Sequence, residues 1–260
     1  MAELISRRDG AVGRIVFSNP ARINAMTFDM WRALPQALAA FDADPAVRLV
    51  VLAGAGDKAF VSGADISQFE QNRTSEEARS AYNQAVEAAY LAPIRCAKPV
   101  IAQIRGICMG GGLGLAAACD VRFCSDDAVF RMPAARLGLG YSYVGMRRFV
   151  QVLGAASTAD IFLSARRFGA ADALQMGFVQ RVFAAADLER EVGAYAATVG
   201  ENAPLSLLAA KAAIRAVLTD PGERDMAALQ AQIDACYASA DYAEGQRAFM
   251  EKRTPGFKGR

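Results

Sequence analysis

The chain has 260 residues, 53% of them hydrophobic and 22% charged, enough for a sizeable core in an ordinary soluble composition. A net charge of +2, with no basic stripe interleaved with aromatics, argues against a nucleic-acid protein. No apolar run reaches membrane-spanning length, and the opening "MAELISRRDGAVGRIVF" has no apolar stretch behind its arginines, so no signal peptide and no membrane partner are expected and the expected location is cytoplasmic.

The elements follow in order. "AVGRIVFS" (11–18) alternates as a strand does, and "NPARINAM" after it is a loop with Asn and Pro signals. Residues 27–44 begin on a Thr N-cap and have helical spacing, with a kink or break expected at Pro35. "VRLVVLAG" (47–54) is a short, β-branched, buried strand. "AGAGDKAFVSGADI" is a Gly-rich loop, and 75–94 is a helix with acids in its first turn. "PVIAQIRG" (99–106) is a second buried strand, "LGLAAAC" a short buried helix, and "DVRFCS" (120–125) another strand. From about 145 onward the pattern is almost entirely helical, ending in "DYAEGQRAFMEKR" and a Pro-Gly tail. Alternating strands and helices over some 140 residues imply a mainly parallel sheet with crossovers, followed by a helical part.

There is no histidine. That excludes Ser–His–Asp and Cys–His nucleophilic triads and His-ligated zinc, haem or iron, and no metal site is expected. Acid–base work falls to Asp, Glu, Tyr, Lys, Cys or water. The five cysteines, at 96, 108, 119, 124 and 236, form no CxxC and are odd in number, so reduced and mostly buried thiols are expected.

The densest signal is "GICMGGGLGLAAACD" (106–120), with five glycines at the entrance to a helix. It lacks the GxxxxGK string of a P-loop, and its third glycine falls in the wrong place for GxGxxG. Two readings remain open. A helix start without side chains offers unpaired N–H donors that can stabilise an oxyanion. Alternatively, the glycines only let helix and strand pack closely. "AFVSGADI" (59–66) is a second small-residue turn, and an oxyanion hole takes about two donors.

These segments carry a resemblance. "AFVSGADI" resembles AFxAGADI and "GICMGGGLGLAAACDVRF" resembles GxxxGGGxxLAxxCD of the crotonase, or enoyl-CoA hydratase/isomerase, superfamily. "NPARINAM" resembles its early CoA-contacting loop, and "DYAEGQRAFMEKRTPGFKG" its C-terminal segment. The resemblance covers nearly the whole chain and implies an α/β fold: a spiral of ββα units (1–190) with a C-terminal helical trimerisation region (191–260), as a homotrimer or hexamer. It implies an acyl-CoA thioester substrate, with coenzyme A entering as part of the substrate and no separate cofactor. It implies an oxyanion hole from the main-chain N–H groups of Ala64 and Gly111 for the thioester carbonyl. Ile23, Ala25, Ser62, Asp65 and Ile66 align with the lining of the CoA groove, and Gly110, Pro133 and Leu139 are further substrate-binding candidates. Phe257 and Lys258 match a tail that can approach the nucleotide. Asp65 and Asp120 are expected to fix backbone rather than react.

The sequence departs from the family at its acids. Family hydratases carry one glutamate after the glycine triplet and another after a proline in the next loop; here Gly114 and Ala134 stand at those positions. Ordinary hydration loses both proton-handling groups. Glu70, Glu76, Glu77 or Glu87 could supply a carboxylate from the helix above the pocket. "LGLGYSYVGMRR" resembles the LGxxYxxVG stretch of methylmalonyl-CoA decarboxylases, with Tyr141 on the matching tyrosine, though those enzymes can carry His where this chain has Ala64 and Glu where it has Gly114. Arg136 is a candidate partner for a substrate carboxylate. Three functions are therefore carried forward: a lyase or isomerase stabilising a thioester enolate, a decarboxylase of malonyl-type thioesters, and a protein that binds CoA thioesters without turnover.

Overall fold

The apolar run of β3 (Leu49–Gly54) shows why this chain folds in layers. Val50 and Leu52 enter the main core with Ile15, Phe17, Trp31 and Phe60. Leu49 and Val51, pointing to the opposite face, join Ile101 and Phe123 beneath Leu188, Val192, Ala196 and Val199. A strand covered on both faces has no polar side, which is why its sequence does not alternate.

In the computed structural model, which describes residues 2–65 and 75–260, the strands form two sheets. β1 (Glu3–Asp9) and β2 (Val12–Ser18) make an antiparallel hairpin turning at Gly10, with φ of 58°. β3, β5 (Val100–Ile104), β7 (Val121–Ser125) and β10 (Arg181–Phe183) then add in parallel, giving the order β1-β2-β3-β5-β7-β10. The second sheet has the order β4-β6-β8-β9, built from Ala59–Val61, Ile107–Met109, Val129–Arg131 and Arg167–Gly169.

The chain winds between the sheets in repeated steps. β3 lies in the first sheet, β4 in the second, and α2 (Glu76–Arg95) returns. β5, β6 and α3 (Gly111–Ala118) repeat the step, then β7, β8 and α4 (Tyr143–Ser164). This is the expected spiral of ββα units. α1 (Phe28–Ala43) packs against α2, and α5 (Ala170–Gln175) follows β9. α6 (Leu188–Gly200) covers the outer face of the first sheet; α7 (Pro204–Val217), α8 (Met226–Ala238) and α9 (Ala240–Glu251) complete the helical C-terminal region.

Two expectations are corrected. α1 runs unbroken through Pro35. Burial of Met30, Trp31, Leu34, Leu38 and Phe41 along one face, at roughly 1.5–3 kcal/mol each, outweighs the roughly 3 kcal/mol that an internal proline costs. The Gly-rich loop after β3 contains a strand, β4, and β1 lies ahead of the first strand predicted. The region after 145 is almost entirely helical as expected, with the short β9 and β10 completing both sheets. Three-residue strands are too short to show a period.

The cysteines behave as expected: Cys96, Cys108, Cys119 and Cys124 are buried and all five are free. Asp120, at the end of α3, accepts hydrogen bonds from the Val100 N–H (2.7 Å) and from Lys211 Nζ (2.7 Å). Lys211 also donates to the carbonyls of Pro93 and Lys98, both at 2.9 Å, so α7 is tied to this junction by a structural ion pair.

Candidate active site

The "NPARINAM" loop is held rigid by two asparagines. Asn24 Nδ2 donates to the carbonyls of Ala55 (2.9 Å) and Ala59 (2.8 Å), while its Oδ1 accepts the Asn19 N–H (3.1 Å). Asn19 Nδ2 in turn donates to Ala25 O at 2.9 Å. The loop closes with Ile23 and Asn24 in the left-handed region, at φ of 54° and 56°, a conformation that asparagine tolerates better than most residues.

That loop fixes the turn after β4. Met26 N–H donates to Gly63 O (2.8 Å) and Asp65 N–H to Met26 O (2.9 Å), a parallel bridge centred on Ala64. In such a bridge the flanking residues supply the bonds, so the N–H of Ala64 faces away from Met26. Asp65 contributes its main-chain N–H to this bridge.

The glycine run sits beside it. A Cβ built on Gly110 would lie 3.9 Å from Gly63 Cα and 3.8 Å from Pro133 Cδ, so the two turns abut. The two readings fall on different residues of the run. A Cβ on Gly112 would lie 2.2 Å from the Val61 carbonyl oxygen, so this glycine is required for close helix–strand packing. Gly111 is the first residue of α3, where an N–H has no partner inside the helix. Among the described residues, neither the Ala64 N–H nor the Gly111 N–H makes a hydrogen bond.

Both border a cavity of about 570 Å³. One wall is the α2 face formed by Arg79, Tyr82, Asn83, Val86, Glu87 and Tyr90, at helical spacing. Another comes from Pro133, Ala134, Leu137, Leu139 and Tyr141. Ser62 and Gly110 complete the neighbourhood of the turns. Thus Ser62, Ala64, Gly110, Gly111, Pro133, Leu139 and Tyr141 are brought together as the sequence implied. Ile23 and Ala25 lie beside the cavity in the asparagine-held loop and do not line it, and Ile66 lies outside the described residues. Arg136 is exposed and off the cavity wall. Phe257 and Lys258 are elsewhere: Phe257 lines a separate hollow among the C-terminal helices, and the Lys258 N–H donates to Asp241 at 2.7 Å.

The two absent glutamates leave different surroundings. Ala134 lines the cavity. At Gly114 the space is filled from across the site: a Cβ there would lie 2.6 Å from Tyr90 Cζ. The hydroxyls of Tyr90 and Tyr141 are 3.4 Å apart. Burial pushes the Tyr141 phenol up to about 12, and burial together with its tyrosine neighbours raises Tyr90 further from its ordinary value, so both are neutral near pH 7. Glu87 is the one carboxylate lining the cavity among the described residues, and its side chain is exposed at the rim. Glu76 and Glu77 stay at the exposed start of α2, and Glu70 lies outside the described residues.

Tyr90 and Trp31 were not predicted as site residues. The eight-residue spacing of Tyr82 and Tyr90 on one helix was a usable signal for the first. Trp31 gave none, since a tryptophan in an amphipathic helix is ordinary core.

Two sheets wound by ββα units, with a strand-end turn and a helix N-terminus meeting over one cavity, define a crotonase-like fold. The chain belongs to the enoyl-CoA hydratase/isomerase family, whose profile matches residues 7–260. It is 32% identical over 261 residues to the peroxisomal Delta(3,5)-Delta(2,4)-dienoyl-CoA isomerase of Arabidopsis thaliana, covering 96% of this chain and 93% of that one. It is 30% identical to the crotonyl-CoA hydratase of Syntrophomonas wolfei, covering 98% and 97%. Among solved structures it resembles an enoyl-CoA hydratase/carnithine racemase from Magnetospirillum magneticum, with TM-score 0.92, 35% identity and coverage of 100% and 97%. A family protein from Hyphomonas neptunium matches with TM-score 0.93, 33% identity and coverage of 99% and 98%.

Proposed function

We propose that this protein is an enzyme acting on acyl-CoA thioesters, and that the N–H groups of Ala64 and Gly111 hold the thioester oxygen as an enolate develops. The observation that carries this reading is the pair of main-chain donors beside one cavity that have no partner among the described residues. A donor already in place costs no reorganisation as charge appears, and removing one such donor typically costs about 10²–10³ in rate. The Gly111 N–H also has the positive end of α3 behind it. The relatives include hydratases, an isomerase and a carnitinyl-CoA dehydratase, so the CoA thioester is common to them while the reaction is not.

The chain's own residues argue against paired-carboxylate hydration. Gly114 and Ala134 carry no acid, and Tyr90 occupies the first of these places. Proton transfer to the acyl group would fall to Glu87 at the rim or to the neutral tyrosines. Isomerisation by a single rim carboxylate fits this inventory. A second reading is favoured by one observation: among the described residues, the inner wall near Gly111 presents Tyr90 and Tyr141 and no carboxylate. Decarboxylation of a malonyl-type thioester needs no base there, because loss of CO₂ leaves its bonding electrons on the α-carbon as the enolate.

A mass-spectrometric screen of enoyl-, 3-hydroxyacyl- and malonyl-type CoA thioesters tests both. Turnover of one class with feeble hydration of short enoyl-CoA is the expected result. Robust hydration would overturn the argument from the missing acids. Binding without turnover across the panel would make this a thioester-binding protein.

A further inference from the structure

We infer that Tyr90 and Tyr141 form the floor of the acyl cavity and set the length of acyl group accepted. The inference rests on the thioester reading above.

Behind the main cavity lies a second, narrow void of about 10 Å³, lined by Gly114, Ala117, Ala118 and Gly145 among others. Among the described residues, Tyr90 and Tyr141 are the two that border both spaces. They are therefore the partition between them.

The partition is firmly held. Tyr90 meets Trp31 edge to face, with ring centroids 5.7 Å apart, and its ring closes over Gly114, where a Cβ would lie at 2.6 Å. Tyr141 packs edge-on against Phe162 at 5.0 Å and Phe149 at 6.0 Å. The hydroxyls meet at 3.4 Å. An alkyl tail forced between them would break that contact and strand two buried hydroxyls, which costs more than the bond itself contributes. Beyond the pair, Gly114, Ala117 and Ala118 share one face of α3 and offer only hydrogen or methyl groups. That face would make an extension of the cavity if the partition were trimmed.

The experiment is titration calorimetry of the full chain with saturated straight-chain acyl-CoA thioesters from acetyl to dodecanoyl. Each methylene entering an apolar cavity tightens Kd by about fourfold. In the wild type the gain is expected to stop within the series, and longer chains to bind more weakly. In Tyr90→Ala the gain is expected to continue for at least about two more carbons, and in Tyr90→Phe, which keeps the ring, the limit stays where it was. Gly114→Ala, which drives the Tyr90 ring into the cavity, shortens the limit and tests the inference should Tyr90→Ala not fold. A wild type with no limit, or a folded Tyr90→Ala or Gly114→Ala variant with an unmoved limit, overturns the floor while leaving the thioester reading intact. Failure of every thioester to bind the wild type overturns the parent reading and this inference with it.

Discussion

Tyr90 stands where a side chain on Gly114 would project: a Cβ at Gly114 would lie 2.6 Å from Cζ and 2.7 Å from Cε1 of the tyrosine ring. The two residues are size-complementary across the α2–α3 contact, so the missing acid is not a vacancy that a single substitution refills. Gly114→Glu is expected to destabilise the protein by about 1–3 kcal/mol through overpacking, read as a lowered midpoint in urea unfolding. Tyr90→Ala in the same chain is expected to recover part of that loss, since it removes the obstructing ring. Additive losses in the double variant would show that the two side chains do not compete for one space.

Gly111 allows the main-chain donor to be separated from the side chain. Proline is accommodated at the first residue of a helix, so Gly111→Pro deletes the N–H without breaking α3. Both Gly111→Pro and Gly111→Ala add a Cβ that would lie 2.9 Å from Trp31 Cζ2, so the alanine variant is the control for crowding. Turnover is expected to fall by about 10²–10³ in Gly111→Pro and by less than about tenfold in Gly111→Ala. Equal kcat values for the two variants would remove Gly111 from the oxyanion role.

What could be read from the chain depended on how local the cause was. The turns at Ala64 and Gly111 were legible because small residues and glycines advertise exposed main chain in a few consecutive letters. β3 and β5 were legible because strands buried on both faces carry unbroken apolar runs. β4, β6 and β9 were not: each has three residues, and their existence depends on partners in a second sheet. Pro35 misled because local propensity disfavours a helix that five buried side chains enforce. Tyr90 escaped notice for a related reason. Its place in the site comes from the missing Cβ of Gly114, a relationship between two helices that no motif spells out. Phe257, in the tail that resembles the family's C-terminal segment, packs among the C-terminal helices away from the cavity of this chain.

Asn24 couples loop rigidity to the site. Replacing it with alanine strands the carbonyls of Ala55 and Ala59 and the N–H of Asn19, beside a chain segment that fixes Ala64 through Met26. Each buried orphan costs about 1–3 kcal/mol. Asn24→Ala is therefore expected to lose at least about 2 kcal/mol in urea unfolding. It is also expected to weaken acyl-CoA binding in calorimetry, because the Ala64 turn loses its support. Unchanged affinity in the folded variant would show that the Ala64 turn holds its shape without the asparagine.

The buried thiols and phenols fix the sign of the alkaline response. Burial holds Cys119 and Cys124 up to about 12 and the Tyr141 phenol also to about 12, against ordinary values of 9.0 and 10.0. Between these limits the unfolded chain has released protons that the folded chain still binds, so stability falls as pH rises. The contribution is fully present below about pH 9 and is lost progressively toward pH 12. The urea midpoint is thus expected to hold steady between about pH 7 and 9 and then decline. Tyr141→Phe removes a contribution that begins only above about pH 10, so the variant should match the wild type's slope between 9 and 10 and decline less steeply beyond. A slope unaltered in the variant above about pH 10 would mean that Tyr141 titrates in the folded protein as it does in the open chain, and a midpoint level to about pH 11 would mean the same of the thiols.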